Sequence, residues 1–272
     1  MKNKTSRMLL AMLFTFVFLT GSIMTAVSAE FGVEVLSAMG DMESADALTP
    51  FTLRLSGDAF GAVSTLSLDK TGGVDGSQAA LITKASDITG YGGSLLSDRF
   101  TLKNGYRVSF KAGYTYYFSA MTKSDNKNTR FWQAVEADGG QNFSWKVRYG
   151  NAAVPDKESA ELAFNSQHNV GGMTNQWNRL TWTMAVDEIK DADGIPAAET
   201  GDVFNTYLIL SGPGGFTSQL KPDAGEAYPI RSWIDDRYIL EVPSSDLTKA
   251  VLPKVNGAKI EQYDTKTLRV LA

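Results

Sequence analysis

Short runs in which apolar, β-branched or aromatic residues alternate with polar ones recur along this chain, and Gly, Asn and Asp mark the gaps between them. Alternation with a period of two places one face of a strand in a core and the other toward solvent, so it dictates sheets rather than helices. Leu66-Ser67-Leu68-Asp69 alternates ahead of Thr71-Gly72-Gly73, and Ala79 to Thr83 follows Asp75-Gly76-Ser77. Arg99-Phe100-Thr101-Leu102 runs into Asn104-Gly105, a dipeptide suited to a tight hairpin turn, and Tyr106 to Phe110 alternates beyond it. Tyr114 to Lys123 has two faces. Tyr116, Phe118 and Ala120 suit a core; Tyr117, Ser119, Met121 and Lys123 suit a more open surface. Arg130 to Ala137 and Asn142 to Tyr149 read as a strand pair around Asp138-Gly139-Gly140. Gln176 to Val186, Phe204 to Leu210 and Ile230 to Val242 supply further strands, with the Phe204 strand read as buried and apolar throughout. Helical spacing is scarce: about two turns over Asp156 to Phe164 and one or two over Ser245 to Leu252. The sum is an all-β chain, a two-sheet antiparallel β-sandwich of the jelly-roll kind.

The N-terminus reads as an export signal. Lys2, Lys4 and Arg7 precede an apolar run from Met8 to Leu19 broken only by Thr15, and Ala26-Val27-Ser28-Ala29 offers small residues for cleavage before Glu30. A membrane anchor is the rival reading, but the run is short for the ~20 residues of a span. Secretion or display at the cell surface is the expected address. Of the 272 residues, 243 remain after residues 1–29; the signal holds three basic residues and no acidic one, so 23 basic stand against 30 acidic, a net charge of −7. That acidity, with no basic stripe, argues against nucleic acid and against an anionic membrane surface. There is no cysteine, so a core or bound ions, not disulfides, must hold an exported chain together. A body of ~210–240 residues can do so with one core. The body is expected over 30–243, a linker over 244–255, and a stub of a further β domain over 256–272, where Ala258-Lys259-Ile260-Glu261 and Thr267-Leu268-Arg269-Val270 alternate.

Catalytic constellations are scarce. His168, the one histidine, sits in Asn165-Ser166-Gln167-His168-Asn169, read as a polar loop. One His and no Cys leave no zinc site of the usual kind, and no nucleophile-elbow motif accompanies that His. Asp191-Ala192-Asp193-Gly194 has part of a calcium-loop pattern, but Ile189 and Thr200 stand where ligands are needed. A solvated acidic loop is the better reading. The Glu-x-Asp-x-x-Glu strand that resembles jelly-roll glucanases is absent, so the paired carboxylates of glycoside hydrolysis have no motif.

Five spaced segments together resemble the carbohydrate-binding modules of families four, nine and twenty-two, of the galactose-binding-like jelly-roll type. They are Gly40-Asp41-Met42-Glu43 (with Met in place of an aromatic), Asp75-Gly76-Ser77-Gln78-Ala79-Ala80-Leu81, Gly113 to Ser119, Trp177-Asn178-Arg179-Leu180, and Ile234-Asp235-Asp236. The resemblance covers roughly residues 33–242, with 151–175 and 187–203 as inserted loops. The tail from Asn256 resembles the first strand or two of a bacterial immunoglobulin-like domain, which suggests a piece of a longer modular protein. The resemblance implies two facing sheets, a sugar site on one face or rim, and non-catalytic binding of a polysaccharide or oligosaccharide beside neighbouring domains. A structural or adhesive cell-surface domain without a sugar site is the alternative, since function resides in the site and not in the fold.

The resemblance also implies a structural calcium ion, with Glu43 and Asp235 as carboxylates at the matching positions and backbone carbonyls completing the shell. Both could equally be ordinary strand-end acids. Sugar rings pair an apolar face with a hydroxyl rim, so their sites combine a flat aromatic with polar side chains. Tyr91, in Thr89-Gly90-Tyr91-Gly92-Gly93, is one candidate; Trp132 with Gln133, and Trp145 with Tyr149, are the others. Aromatics in a sandwich are more often core than platform. If Trp145 and Tyr149 are core, Lys146 and Arg148 take the open face. Trp177, Trp182 and Trp233 read as structural.

Overall fold

A computed structural model describes residues 33–36, 40–55, 63–87, 97–137, 144–150, 157–159, 162–169, 174–191, 193–197 and 204–245. The expected signal, Tyr91 and the expected tail domain lie outside them. Among the described residues the chain forms two antiparallel sheets. An eight-stranded sheet runs in the order β3 (Ser64–Asp69), β4 (Ala79–Lys84), β13 (Ile230–Pro243), β6 (Tyr114–Ser124), β11 (Asn178–Lys190), β8 (Ser144–Gly150), β9 (Lys157–Ser159), with β1 (Val33–Glu34) added to β13. A five-stranded sheet runs β10 (Leu162–Asn169), β7 (Arg130–Ala137), β12 (Phe204–Ser211), β5 (Asp98–Leu102), β2 (Phe51–Leu55). The all-β sandwich expected from alternation is the fold.

One core lies between the sheets. Tyr116, Phe118 and Ala120 of β6 and Leu180, Trp182 and Met184 of β11 meet Phe100 of β5, Phe131 and Val135 of β7, and Phe204 and Leu208 of β12. Phe110 fills the middle, edge-on to Tyr116 at 4.7 Å and to Phe204 at 5.3 Å between ring centres. Edge-to-face rings of this kind add about 0.5–1.5 kcal/mol per pair beyond burial itself.

Several local expectations are corrected. Asn104-Gly105 does make a turn, with Gly105 at φ 88° and Tyr106 N–H donating to the Lys103 carbonyl at 3.1 Å. It closes no hairpin, because β5 already has β2 and β12 on its two sides, and Tyr106 to Phe110 keeps only an isolated bridge between Val108 and Phe204. Strands β7 and β8 do not pair: the chain crosses from one sheet to the other between them. The segment expected to be helical and then loop holds β9 and β10 instead, and His168 is a strand residue opposite Phe131. Tertiary pairing has overridden a weak local preference there. The outward face of β6 is more covered than alternation alone suggests, for Tyr117 and Ser119 are buried.

Strand β13 carries a bulge between Asp235 and Tyr238, and bulges re-aim side chains. Asp236 takes φ 46°, and Arg237 turns into the core. Gly40 sits against this bulge: Arg237 N–H donates to its carbonyl at 2.9 Å, and a Cβ at position 40 would lie 1.5 Å from the Arg237 carbonyl oxygen. Only glycine fits such an approach. The Gly40-Asp41-Met42-Glu43 segment is thereby explained from packing, with Met42 fully buried in the core.

Candidate functional site

Residues directly opposite in a sheet share a face, so register assigns the outer surface of the five-stranded sheet. One cross-strand row is Arg54, Arg99, Ile209 and Trp132; the next is Thr52, Thr101, Tyr207 and Ala134; a third holds Asn205 and Glu136. The rows between them, with Phe100, Leu208 and Gln133, point into the core.

On this outer face an apolar end adjoins a polar one. Trp132 is half-buried, packs edge-on to Phe216 at 6.2 Å, and donates its Nε1–H to Ser211 Oγ at 2.9 Å. Together with Ala134, Tyr207 and Ile209 these rings form a small apolar cluster separate from the main core. Arg99 stacks its guanidinium over the Tyr207 ring at 5.3 Å and pairs with Glu136 at 3.5 Å. Arg54 donates from Nη1 to the Tyr207 hydroxyl at 3.4 Å. The Tyr207 phenol is pushed up by burial first and then by the Glu136 carboxylate beside it. A groove of about 460 Å³ continues this face past β5, lined by residues of β2, β5, the 103–107 turn and β12. Such an arrangement can cover the apolar side of a sugar and hydrogen-bond its rim. Among the described residues of the face Glu136 is the one carboxylate.

The sequence-derived candidates separate accordingly. Trp132 is on this face. Gln133 is not: strand alternation turns it inward, where Nε2 donates to the Leu180 carbonyl of the opposite sheet at 3.0 Å. Trp145 is corrected to core. It is 4% exposed, and its ring centre lies 4.2 Å from Phe204 and 5.9 Å from Phe110. Lys146 is exposed and Arg148 pairs with Asp187 at 2.7 Å on the other side of β8, as the core reading of Trp145 requires. Tyr149 lies in β8 opposite Met184, and its side chain, like Tyr91, falls outside the described residues. Tyr207, Arg99, Glu136 and Arg54 were missed. Strand β12 had been read as apolar throughout, although Asn205 and Tyr207 stand two apart in it.

Glu43 and Asp235 do meet at one turn. Asp235 Oδ2 accepts from Val74 N–H at 2.9 Å and Ser77 Oγ–H at 3.2 Å, its Oδ1 accepts from Asp236 N–H at 2.8 Å, and Glu43 Oε1 accepts from Gln78 N–H at 3.3 Å. Burial raises the Asp235 carboxyl, its hydrogen bonds pull it back, and the charge of Glu43 raises it further. Burial and then the Asp235 charge push Asp236 up to about 7, against the pull of Arg179 at 3.8 Å. Its buried Oδ2 accepts no hydrogen bond. Among the described residues no group of three or more His, Cys, Asp or Glu is placed to hold a metal. No described helix is long and apolar enough to cross a membrane.

No family model matches this chain, and no curated protein matches it. Solved structures do. One is the CBM22-1-GH10 portion of Clostridium thermocellum endo-1,4-beta-D-xylanase 10B complexed with xylohexaose, at 12% identity and TM-score 0.35, covering 76% of this chain and 28% of that one. The C-terminal family 22 carbohydrate-binding module of Clostridium thermocellum Xyn10B is another, at 15% identity and TM-score 0.36, covering 79% of this chain and 95% of that one. A third is TmCBM61 in complex with β-1,4-galactotriose, at 12% identity and TM-score 0.32, covering 71% and 88%. The chain thus spans less than a third of the first of these and most of the other two.

Proposed function

We propose that this chain is a non-catalytic glycan-binding module, and that the outer face of the five-stranded sheet takes the sugar. The observation that carries the reading is the placement of the half-buried Trp132 beside Arg99, Glu136 and the exposed Arg54 on the outer face of one sheet, with Tyr207 buried among them. A ring stacked at Trp132 would meet two guanidinium groups and a carboxylate, which are donors and acceptors matched to hydroxyls. Glu136, tied to Arg99, orients and accepts. Glycoside hydrolysis needs a second carboxylate across the ring, and none is described there. A purely structural domain would bury its aromatics in the core; Trp132 on the outer face favours a binding role over that alternative.

Calcium fits the chemistry of the second cluster. Glu43 and Asp235 would hold it with backbone carbonyls, and the cation would offset the burial, and the lesser repulsion from Glu43, that raise Asp235. Its part would be to fix the 40–43 segment and the 74–78 turn against the β13 bulge. The signal-like start and the alternating tail support an exported module joined to further domains, tethering a neighbour to polysaccharide and raising its effective concentration.

The test is affinity electrophoresis of residues 30–245 through gels containing soluble xylan, galactan, pectin or alginate. Retardation by a defined glycan that is lost in Trp132→Ala and weakened in Tyr207→Phe, with cooperative melting preserved in both, is the expected result. Retardation by no glycan overturns the reading in favour of a structural or adhesive domain.

A further inference from the structure

We propose that Lys84 and Asp98 condense into an intramolecular amide that joins the two sheets, a modification site separate from the sugar face. Strand alternation brings the pair together. Ala80 and Ile82 of β4 are core residues, and Lys84 is the next position on that face; Phe100 and Leu102 of β5 are core residues, and Asp98 precedes them on theirs. Strand β4 belongs to the eight-stranded sheet and β5 to the five-stranded one. An amine and a carboxyl therefore meet between the sheets, where two apolar side chains would otherwise extend the core. Both are buried, their side chains 2% and 1% exposed, and Lys84 Nζ lies 3.9 Å from Asp98 Oδ2.

As an ion pair the arrangement is poor. That separation is too long for a hydrogen bond. Lys84 Nζ has three donors to place and no hydrogen-bond partner; Asp98 Oδ1 and the buried hydroxyl of the adjoining Ser97 have none either. A buried ion pair offsets its desolvation only where good geometry and further hydrogen bonds satisfy the remaining groups, and these are missing here. Condensation removes both charges and replaces the unmade contact with a bond. The chain has no cysteine, so such a bond would supply the covalent staple that disulfides give many exported domains.

The reaction needs no other reactant. Burial raises the Asp98 carboxyl, against the opposing pull of Lys84 and Ser64. Passing one ammonium proton to the carboxylate gives the neutral pair that a dry interior favours. Nζ then adds its lone pair to Asp98 Cγ. Reacting atoms in productive arrangements stand about 3–3.5 Å apart, and Oδ2 is bonded to Cγ, so a small side-chain adjustment brings Nζ into reach. Ser64 stands directly opposite Lys84 and donates from Oγ to Asp98 Oδ2 at 2.9 Å. Its hydroxyl steadies the oxygen that takes up negative charge in the tetrahedral intermediate. The bond from Cγ to Oδ1 breaks, and Oδ1 leaves as water with the carboxyl proton and one amine proton. The amide keeps Oδ2 as its carbonyl oxygen and one N–H. Burial keeps out the water that would reverse the step.

The test is peptide mass spectrometry on the full chain, purified, unfolded in urea and digested with trypsin. Between Lys70 and Arg99 the one internal cleavage point is Lys84, and trypsin does not cut after an acylated lysine. The expected product is a single peptide from Thr71 to Arg99, uncut after Lys84 and lighter than its sequence by one water. Asp98→Ala should restore cleavage after Lys84, and Lys84→Arg cleavage at the new arginine, both with no water lost. Digestion of the unfolded chain reads these variants whether or not they fold. Recovery of Thr71 to Lys84 and Ala85 to Arg99 at full mass from the parent chain overturns the proposal and leaves a buried ion pair. Loss of water from Ala85 to Arg99 with cleavage after Lys84 intact also overturns it, because Asp98 has then closed on its own backbone as a succinimide.

Discussion

Trp145→Ala and Trp132→Ala should have opposite signatures. Trp145 is enclosed by Phe204 and Phe110 and is 4% exposed, so truncation removes a buried ring and leaves a cavity between the sheets. Such changes cost about 3–5 kcal/mol. For a domain of this size each kcal/mol moves the melting temperature by about 2–4 °C, giving a fall of roughly 6–20 °C. Trp132 would forfeit one hydrogen bond to Ser211, about 1 kcal/mol, and one edge contact to Phe216, about 0.5–1.5 kcal/mol. That corresponds to a fall of roughly 3–10 °C. Binding reverses the order. Loss of the Trp132 platform should weaken glycan affinity at least about thirtyfold, a 2 kcal/mol effect of the size seen for interface anchors. Trp145→Ala, measured well below its melting temperature, should bind as the parent does. The assays are differential scanning calorimetry and affinity electrophoresis on the same preparations. A Trp145→Ala protein that melts like the parent but no longer binds would refute the core assignment and the choice of face together.

Arg237→Met should stabilise the chain by about 1–4 kcal/mol in urea titration. Its guanidinium is wholly buried, held by one hydrogen bond to Thr206 at 2.7 Å above Phe51 and Phe100, and burial pushes it down to about 9; a destabilised variant would count against an uncompensated charge. The carboxyls of Asp235 and Asp236 are both raised, Asp236 to about 7, so ionisation is unfavourable in the folded chain; the contribution of Asp236 is full below the ordinary carboxylate range and lost as pH rises through about 7. Calcium-free protein should therefore melt lower at pH 8 than at pH 6, with Asp236→Asn flattening the gradient; a gradient unchanged in that variant would assign it elsewhere. Calcium at a hundred times its dissociation constant should add about 2.7 kcal/mol, roughly 5–11 °C. Glu43→Gln should abolish that gain, and a melting curve indifferent to millimolar calcium and to chelator would dispose of the ion.

Strand positions were largely legible because alternation and short apolar runs are local properties: β6 and β11 were read from the first, β4 and β12 from the second. Pairing was not. Whether Arg130–Ala137 lies beside Ser144–Gly150 or across the sandwich from it depends on contacts many residues away, and the Gly-Gly between them fits a crossover as readily as a hairpin. Residues 157–169 were misread for a related reason. Edge strands β9 and β10 each have one partner strand, and their sequences carry little of the β-branched bulk that marks a central strand. Gly40 was found by its motif, but its reason, a carbonyl oxygen of Arg237 where a side chain would stand, belongs to tertiary structure.

The outer face of the five-stranded sheet illustrates how far period two can be carried. Trp132 and Gln133 are chain neighbours and so cannot share a face; Trp132 then selects Glu136 on its own strand, two double steps away, and pairing selects Tyr207 and Arg99 beside it. Register, not composition, assembles the site. The same step explains why the main core and the small outer cluster of Ala134, Tyr207 and Ile209 coexist on two neighbouring strands. Strand β12 is buried on both faces, in one direction by the opposite sheet and in the other within the outer cluster that Trp132 and Phe216 pack against. Continuous burial along a strand therefore does not by itself mean that the strand is only core. Here its outward residues include a phenol held by Arg54 and Arg99, so the strand carries polar structure as well as core.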